Sequence, residues 1–427
     1  MSRTPPRWPG PLRPAVLRWL VLPAALTAIT LLVISSRPAP DASHGASPTP
    51  IGADAAGYDW SAPHGHRPDP RTLSVGVTHT RHSVDDWGSA PAIVSAKAVL
   101  TATASYQNQH IFGSGTVNPQ PSPGKFDWSS LDRRMALIRS TAGTPVITLC
   151  CAPDWMKGGR PGETNWDRLH VAPRPEHYAD FAALATAVAR RYPDVRHFQV
   201  WNEMKEFWDA TRNRRNYEAY TNLYNTVYDA LKAVGPTLAV GGPYVVIDIW
   251  ASSNTASHPS ALAGACGVVD QRSLAALLHM ADQGATTALI WEPQGDTDET
   301  HGPALWSATD GHGGGRPLAY AEAVARLQQV LADRAGPDAV SWPVPELGLV
   351  RGREGVLLVH TEDDRIDLEV QGRPLRLGPY EVRYVPLRTD TPVEFTFPVA
   401  PGSSAPAVPG AMCLRPAAAA TPLPEAR

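Results

Sequence analysis

The sequence predicts an α/β fold, a (β/α)8 TIM-type barrel that is either complete or incomplete, followed by a small C-terminal β domain. Short apolar runs typical of buried parallel strands alternate with segments whose apolar residues recur at helical spacing. Several such units follow one another within residues 71–335, and strands that alternate with helices favour a parallel barrel. From residue 341 to 399, short β-like runs separated by Gly, Asp and Pro turns predict antiparallel pairing instead.

The N-terminal segment, residues 1–36, has the pattern of a signal-anchor or a signal peptide. Four arginines precede the uncharged apolar run Trp19–Ile34, and no small-residue cleavage site stands before Asp41, which favours an uncleaved transmembrane anchor. The arginines would remain inside, so we expect an extracellular catalytic domain at the cell membrane or, after cleavage, a secreted one. Residues 37–70 and 400–427 are rich in Pro, Ala and Ser and are expected to be a disordered linker and a disordered tail.

Charge and cysteine content exclude several classes of function. The net charge of −3 provides no basic field for nucleic acid. The four cysteines include the adjacent pair Cys150 and Cys151, a spacing that suits neither an ordinary disulfide nor a zinc knuckle. The sequence therefore predicts buried thiols at a strand end, with no metal and no cofactor. A phosphate-binding loop and a G-x-S-x-G nucleophile motif are both missing from the sequence.

The parallel strands can be assigned in chain order from their apolar runs. They are Leu73–Thr78 before His79, Ser105–Phe112, Thr144–Leu149, Asp194–Val200, Leu238–Gly242 and Ala288–Trp291. The intervening helices show apolar faces, such as Leu131, Met135 and Ile138. A later helix carries a stripe of tyrosines at 217, 220 and 224, which we interpret as packing against the barrel rather than as a ligand platform.

The run from Phe198 to Glu203 is the strongest candidate for a catalytic segment. In a (β/α)8 barrel the chemistry lies at the carboxyl ends of the strands. Glu203 follows the fourth strand, where a general acid is expected, and Asn202 and Trp201 precede it, where they would orient and stack a sugar. The alternative interpretation is a surface glutamate in a salt bridge.

Tryptophans near the predicted strand ends support a carbohydrate cleft. Aromatic rings stack well on the apolar face of a pyranose. The candidates are Trp155, Trp201, Trp208, Trp291 and Trp306.

Seven short stretches together resemble glycoside hydrolase family 39, the retaining (β/α)8 enzymes that include β-xylosidases and α-L-iduronidases. The stretches are Gly76–Thr80, Gln107–His110, Phe126–Trp128, Cys151–Met156, Trp201–Glu203, Gly241–Tyr244 and Leu289–Gln294. The resemblance implies a carbohydrate substrate, with Glu203 as acid/base, Asn202 holding the sugar 2-hydroxyl and His79 lining the glycone subsite.

The sequence departs from the family where the nucleophile is expected. Retaining glycosidases need a second carboxyl group about 5 to 5.5 Å from the first. Only about 45 residues separate Pro243 from Ala288, whereas two βα units and a helix would need roughly 70 to 90. The interval contains no glutamate, and we interpret Cys266–Val269 as the remnant of a sixth strand. The sequence thus predicts that the barrel segment carrying the nucleophile is missing.

Two functions remain open from the sequence. The first is a glycosidase that hydrolyses xyloside-like or other β-linked sugars with Glu203 as general acid/base. The second is a catalytically impaired carbohydrate-binding pseudoenzyme of the same fold. Glu292, after the last strand, is the remaining glutamate suggested by topology, and we expect it to contact the substrate rather than to attack it.

Overall fold

The computed structural model describes two-thirds of the chain. The described residues are 60, 72–81, 83–84, 88–204, 206–243, 268–295, 304–311, 313–333, 340–362, 364–379, 381–387 and 395–396. The expected anchor and tail lie outside them, as does the expected linker except for Trp60. Within the described residues, no helix combines the length and the apolar character needed to cross a membrane.

A parallel sheet of six strands forms the centre of the described structure. Its strands are β1 (Ser74–Thr78), β2 (Tyr106–His110), β3 (Thr144–Leu149), β4 (His197–Val200), β7 (Ala239–Gly241) and β8 (Thr287–Trp291). A separate two-stranded hairpin, β5 (Trp208–Asp209) and β6 (Arg214–Arg215), follows β4. The strand order is β7-β4-β3-β2-β1-β8, so the last parallel strand pairs with the first, as in a barrel. The predicted fold class is confirmed.

Helices cover the sheet, one after most strands. They are α1 (Ala90–Thr103), α2 (Ser129–Ser140), α3 (Tyr178–Arg191), α4 (Tyr217–Val234), α5 (Val268–Asp282) and α6 (Ala319–Ala332). Each buries an apolar face at helical spacing, for example Phe181, Leu184 and Val188 of α3. The Ser89 hydroxyl and the Asn216 side chain cap the first turns of α1 and α4 by accepting backbone N–H bonds.

The segment between β7 and β8 corrects one expectation. Val268 and Val269 lie in the first turn of α5, not in a remnant sixth strand. Leu274 and Leu278, one helical turn apart, are buried in the core, and this burial favours a helix through the segment. Residues 244–267 lie outside the described part of the chain, so the missing barrel segment stays a prediction.

A buried glutamine ties the closing helix to the start of the sheet. The Gln328 Oε1 of α6 accepts bonds from the Val75 amide at 3.2 Å and the Ser105 hydroxyl at 2.8 Å. Its Nε2 donates to the Thr103 carbonyl. These bonds satisfy polar groups of β1, of α1 and of Ser105 directly before β2, and they attach α6 to the start of the sheet.

The C-terminal part consists of antiparallel β structure, as expected. Its strands are β9 (Val340–Val344), β10 (Leu347–Arg351), β11 (Gly355–His360), β12 (Ile366–Val370), β13 (Arg373–Leu377), β14 (Val382–Pro386) and β15 (Phe395–Thr396). They form a four-stranded sheet in the order β14-β11-β10-β9 and a three-stranded sheet in the order β13-β12-β15. Alternate residues of β12, Ile366, Leu368 and Val370, are buried, which is the period expected of a strand covered on one face.

Candidate active site

The chain makes a sharp turn directly after β4. Trp201, Glu203 and Met204 all have positive φ angles, of 72°, 55° and 61°. Residues with a Cβ rarely adopt this left-handed region, and such residues concentrate at functional sites. The Trp201 amide still donates to the Leu149 carbonyl at 3.2 Å, so the turn begins while the chain is attached to β3.

Hydrogen bonds from two side chains hold this turn on both sides. The Tyr220 hydroxyl of α4 donates to the Val200 carbonyl at 3.0 Å, just before the turn. The Arg215 guanidinium of β6 donates to the Met204 carbonyl at 3.0 Å, just after Glu203. Burial raises the pKa of Tyr220 above its usual value, so its hydroxyl stays protonated and remains a donor. The position of Glu203 is therefore set by the hairpin and the helix that follow it.

The tyrosine stripe of α4 packs against the sheet, as predicted, and it also donates hydrogen bonds. The Tyr224 hydroxyl donates to the Val240 carbonyl of β7 at 3.0 Å, just as the Tyr220 hydroxyl donates to the Val200 carbonyl of β4. Tyr217 differs, since half of its side chain is exposed. The helical spacing indicated the packing face, but the bonds to strand carbonyls were missed.

Asn202 and Glu203 differ in their exposure to solvent. Asn202 is only 2 % exposed, and its Oδ1 has no hydrogen-bond partner in the described part of the chain. A buried carbonyl oxygen without a donor is costly, and a ligand hydroxyl would satisfy it. Glu203 is partly exposed.

The tryptophans divide into exposed rings and core rings. Trp208 on the hairpin is 52 % exposed and Trp291 at the end of β8 is 41 % exposed, so both rings offer a face to a sugar. Trp155 is half-buried, and its Nε1 donates to the Gln120 carbonyl at 3.0 Å. Trp306 is buried, with its Nε1 donating to Gln294.

The structure corrects the expectation for Trp201. Its side chain is fully buried, and it packs edge-to-face between Phe181 and Phe207 at centroid distances of 5.8 and 5.7 Å. The positive φ of this residue turns its ring into the layer between sheet and helices. Trp201 therefore anchors the turn after β4 through packing and has no exposed face for a sugar.

His79 is likewise buried rather than open to a glycone. Val75, Val77 and His79 are alternate residues, and alternate residues of a strand lie on the same face, so His79 shares the buried face of the two valines. Its Nδ1 is 3.0 Å from the Ser83 hydroxyl and its Nε2 is 3.1 Å from Gln107 Oε1, so both ring nitrogens have protein partners. Burial, and then the charge of Arg134, lowers the pKa of His79 to about 3, which keeps the imidazole neutral.

Polar side chains on four adjacent strands form a ladder of hydrogen bonds. Asn108 donates to the Thr78 hydroxyl at 3.1 Å, and the Thr148 hydroxyl lies 2.8 Å from Asn108 Oδ1 and 3.0 Å from Gln199 Oε1. His110 lies two residues beyond Asn108 on β2 and packs edge-to-face on Trp291 at 5.8 Å. Burial lowers the pKa of His110 to about 3. The sequence resemblance included this part of β2 but assigned no role to its residues.

Cys150 and Cys151 form a disulfide, which corrects the prediction of buried thiols. The peptide between them is cis, and their Cα atoms are 2.9 Å apart. The pair is buried at the end of β3, and Cys151 Sγ lies 3.6 Å from His170 Nδ1.

A buried lysine fastens the loop that follows this disulfide. Lys157 Nζ donates to the Arg168 and Leu169 carbonyls at 2.8 and 3.2 Å and lies 3.9 Å from the Asp154 carboxylate. Burial lowers the pKa of Lys157 to about 8. These bonds hold the loop in place, so they also fix where His170 lies.

Glu292 follows β8 on the exposed surface, with a φ of 58°. In the strand order, four strand-to-strand steps separate β8 from β4. Glu292 and Glu203 therefore follow strands near opposite edges of the described sheet.

Comparison with known proteins gives a family match over part of the chain. Residues 118–272 match the model of glycosyl hydrolases family 39, and the matched segment includes Asn202 and Glu203. It spans rather more than a third of the chain. The resemblance to this family of glycoside hydrolases is therefore confirmed. No curated protein matches the sequence.

Several solved structures are similar to this chain at low sequence identity. The GH39 enzyme from Xanthomonas axonopodis pv. citri is 15 % identical over 74 % of this chain and 75 % of its own, with a TM-score of 0.44. A GH39 β-xylosidase from Caulobacter crescentus is 16 % identical over 77 % of this chain and 96 % of its own, with a TM-score of 0.40. A bacterial orthologue of human α-L-iduronidase is 20 % identical with a TM-score of 0.30; the similarity covers 47 % of this chain and 31 % of that one.

Proposed function

We propose that this protein is a glycoside hydrolase that acts on xyloside-like or other β-linked sugars, with Glu203 as its general acid/base. The observation that carries the proposal is the pair Asn202 and Glu203 at the end of β4, inside the segment that matches family 39. The unpartnered Oδ1 of Asn202 would accept a bond from a sugar hydroxyl, while the partly exposed Glu203 would protonate the leaving oxygen.

Exposed aromatic rings supply the binding surface in this proposal. Trp208 and Trp291 would stack on sugar rings, with Glu292 as a polar contact beside Trp291 and Trp155 at the loop after β3. No nucleophile is assigned among the described residues, and Glu292 at the end of β8 is expected to contact the substrate rather than to attack it.

A second candidate function follows from the lack of an assigned nucleophile. If the segment that carries the nucleophile is missing, the same cleft would bind sugars without cleaving them. A carbohydrate-binding pseudoenzyme would keep Trp208, Trp291 and Asn202 in their roles and would leave Glu203 as a hydrogen-bonding group.

Release of nitrophenol from aryl xylosides tests the proposal, together with titration of xylo-oligosaccharides. Glu203→Gln should lower kcat by about 10² to 10⁴, because the amide neither donates nor reclaims a proton, while binding should persist. Trp208→Ala serves as the matched variant that should weaken binding. Binding without turnover in the wild type would favour the pseudoenzyme, and turnover that survives in Glu203→Gln would refute the role of that residue.

A further inference from the structure

We propose that Cys150, Cys151 and His170 form a redox-gated site for one thiophilic divalent metal ion, closed as the disulfide and opened when the disulfide is reduced. The ligand atoms of the three side chains, two sulfurs and one imidazole nitrogen, lie within 4.8 Å of one another. Thiolate and imidazole are the ligands that Zn²⁺ and softer ions prefer. This site is separate from the proposed glycosidase chemistry and does not depend on it.

The spacing of the sulfur and nitrogen atoms fits tetrahedral coordination. With Zn–S near 2.3 Å and Zn–N near 2.05 Å, a tetrahedral angle places the two ligand atoms about 3.6 Å apart. Cys151 Sγ and His170 Nδ1 are 3.6 Å apart in the structure. The histidine is therefore already placed as a ligand, and the remaining change is for the two sulfurs to separate to about 3.8 Å, the tetrahedral S–S distance.

Rigid surroundings keep the three groups together after reduction. The Phe112 amide donates to the Cys150 carbonyl at 3.1 Å, which attaches the cysteine pair to the end of β2. The Lys157 ammonium group donates hydrogen bonds to the carbonyls of Arg168 and Leu169, which directly precede His170. His170 is only half-buried, so a metal ion can reach the three groups from solvent past its side chain.

The chemical step needs a two-electron reductant of the dithiol class. The dithiol transfers two electrons and two protons to the Cys150–Cys151 bond, giving two thiols and an oxidised cyclic disulfide. Metal binding then displaces one proton from each thiol to solvent, and neutral His170 donates the lone pair of Nδ1. A cyclic disulfide of the same class would take back the two electrons and two protons, re-form the Cys150–Cys151 bond and expel the ion, so the metal content reports the redox state.

The test uses the full chain carrying Cys266→Ser and Cys413→Ser, which leaves Cys150 and Cys151 as its only thiols. One sample is reduced with a dithiol that is then removed without oxygen, and the other stays oxidised. Both are titrated with Zn²⁺ alone, and bound metal and free thiols are counted. We expect one Zn²⁺ for each reduced chain and essentially none for the oxidised chain.

Variants then separate ligation from adventitious binding. His170→Gln should weaken Zn²⁺ binding at least about tenfold, which is what loss of even an outer partner of a metal ligand costs. His279→Gln, a histidine of α5 stacked on Trp342, is the matched control and should leave binding unchanged. The proposal is overturned if the reduced chain binds no stoichiometric Zn²⁺, if both histidine variants bind alike, or if circular dichroism shows that reduction unfolds the chain.

Discussion

Acidification should destabilise this protein through its buried histidines, and His79 gives the clearest case. Its pKa is about 3 in the folded chain against 6.5 for an ordinary histidine, so between these values the unfolded state binds the proton and the folded state does not. Stability is therefore complete above pH 6.5 and is lost as the pH falls toward 3. At pH 5 the difference of 1.5 pH units corresponds to about 2 kcal/mol, and His110 contributes a similar amount.

Urea unfolding followed by tryptophan fluorescence measures this effect at pH 5, 7 and 8. The wild type should lose about 4 kcal/mol between pH 7 and pH 5, a large share of the stability of a typical domain. His79→Gln should lose only about half as much over the same range. The interval from pH 8 to pH 7 is the comparison, since an ordinary imidazole is mostly neutral there and the two histidines together should change the stability by only about 0.3 kcal/mol.

Two outcomes would refute this reasoning about His79. The first is that His79→Gln loses as much stability on acidification as the wild type. The second is that His79→Gln in addition shows a raised KM for aryl xylosides, which would restore His79 to the glycone subsite.

Two further predictions concern the residues around Glu203. Trp201→Ala should lower the free energy of unfolding by about 3 to 5 kcal/mol, because it empties a core position. Trp208→Ala removes an exposed ring and should change that free energy by less than about 0.5 kcal/mol. Equal losses of the two variants in urea unfolding would contradict the assignment of core and surface rings. Tyr220→Phe removes a bond to the Val200 carbonyl and should cost about 1 kcal/mol, with kcat falling more than KM changes; unaltered kcat would show that this hydroxyl does not position Glu203.

The sequence by itself determined the order of the elements and the place of the candidate acid. Strand and helix periods depend on neighbouring residues, so the runs ending at Thr78, Leu149 and Val200 could be assigned from local pattern. A glutamate directly after the fourth strand followed from the same assignment. The packing of the α4 tyrosines was also readable, because helical spacing places them on one face.

Only the tertiary structure decided which side chains of those elements face a ligand. Trp201 stands at a strand end in the sequence, yet the turn after β4 directs its ring into the core, and the buried ring of His79 bonds to Ser83 and to Gln107 of β2. The hydrogen bond from Tyr220 to the Val200 carbonyl joins residues twenty positions apart. Local periodicity specifies the face of a strand but carries no information about these backbone turns or long-range partners, because they arise when the layers pack together.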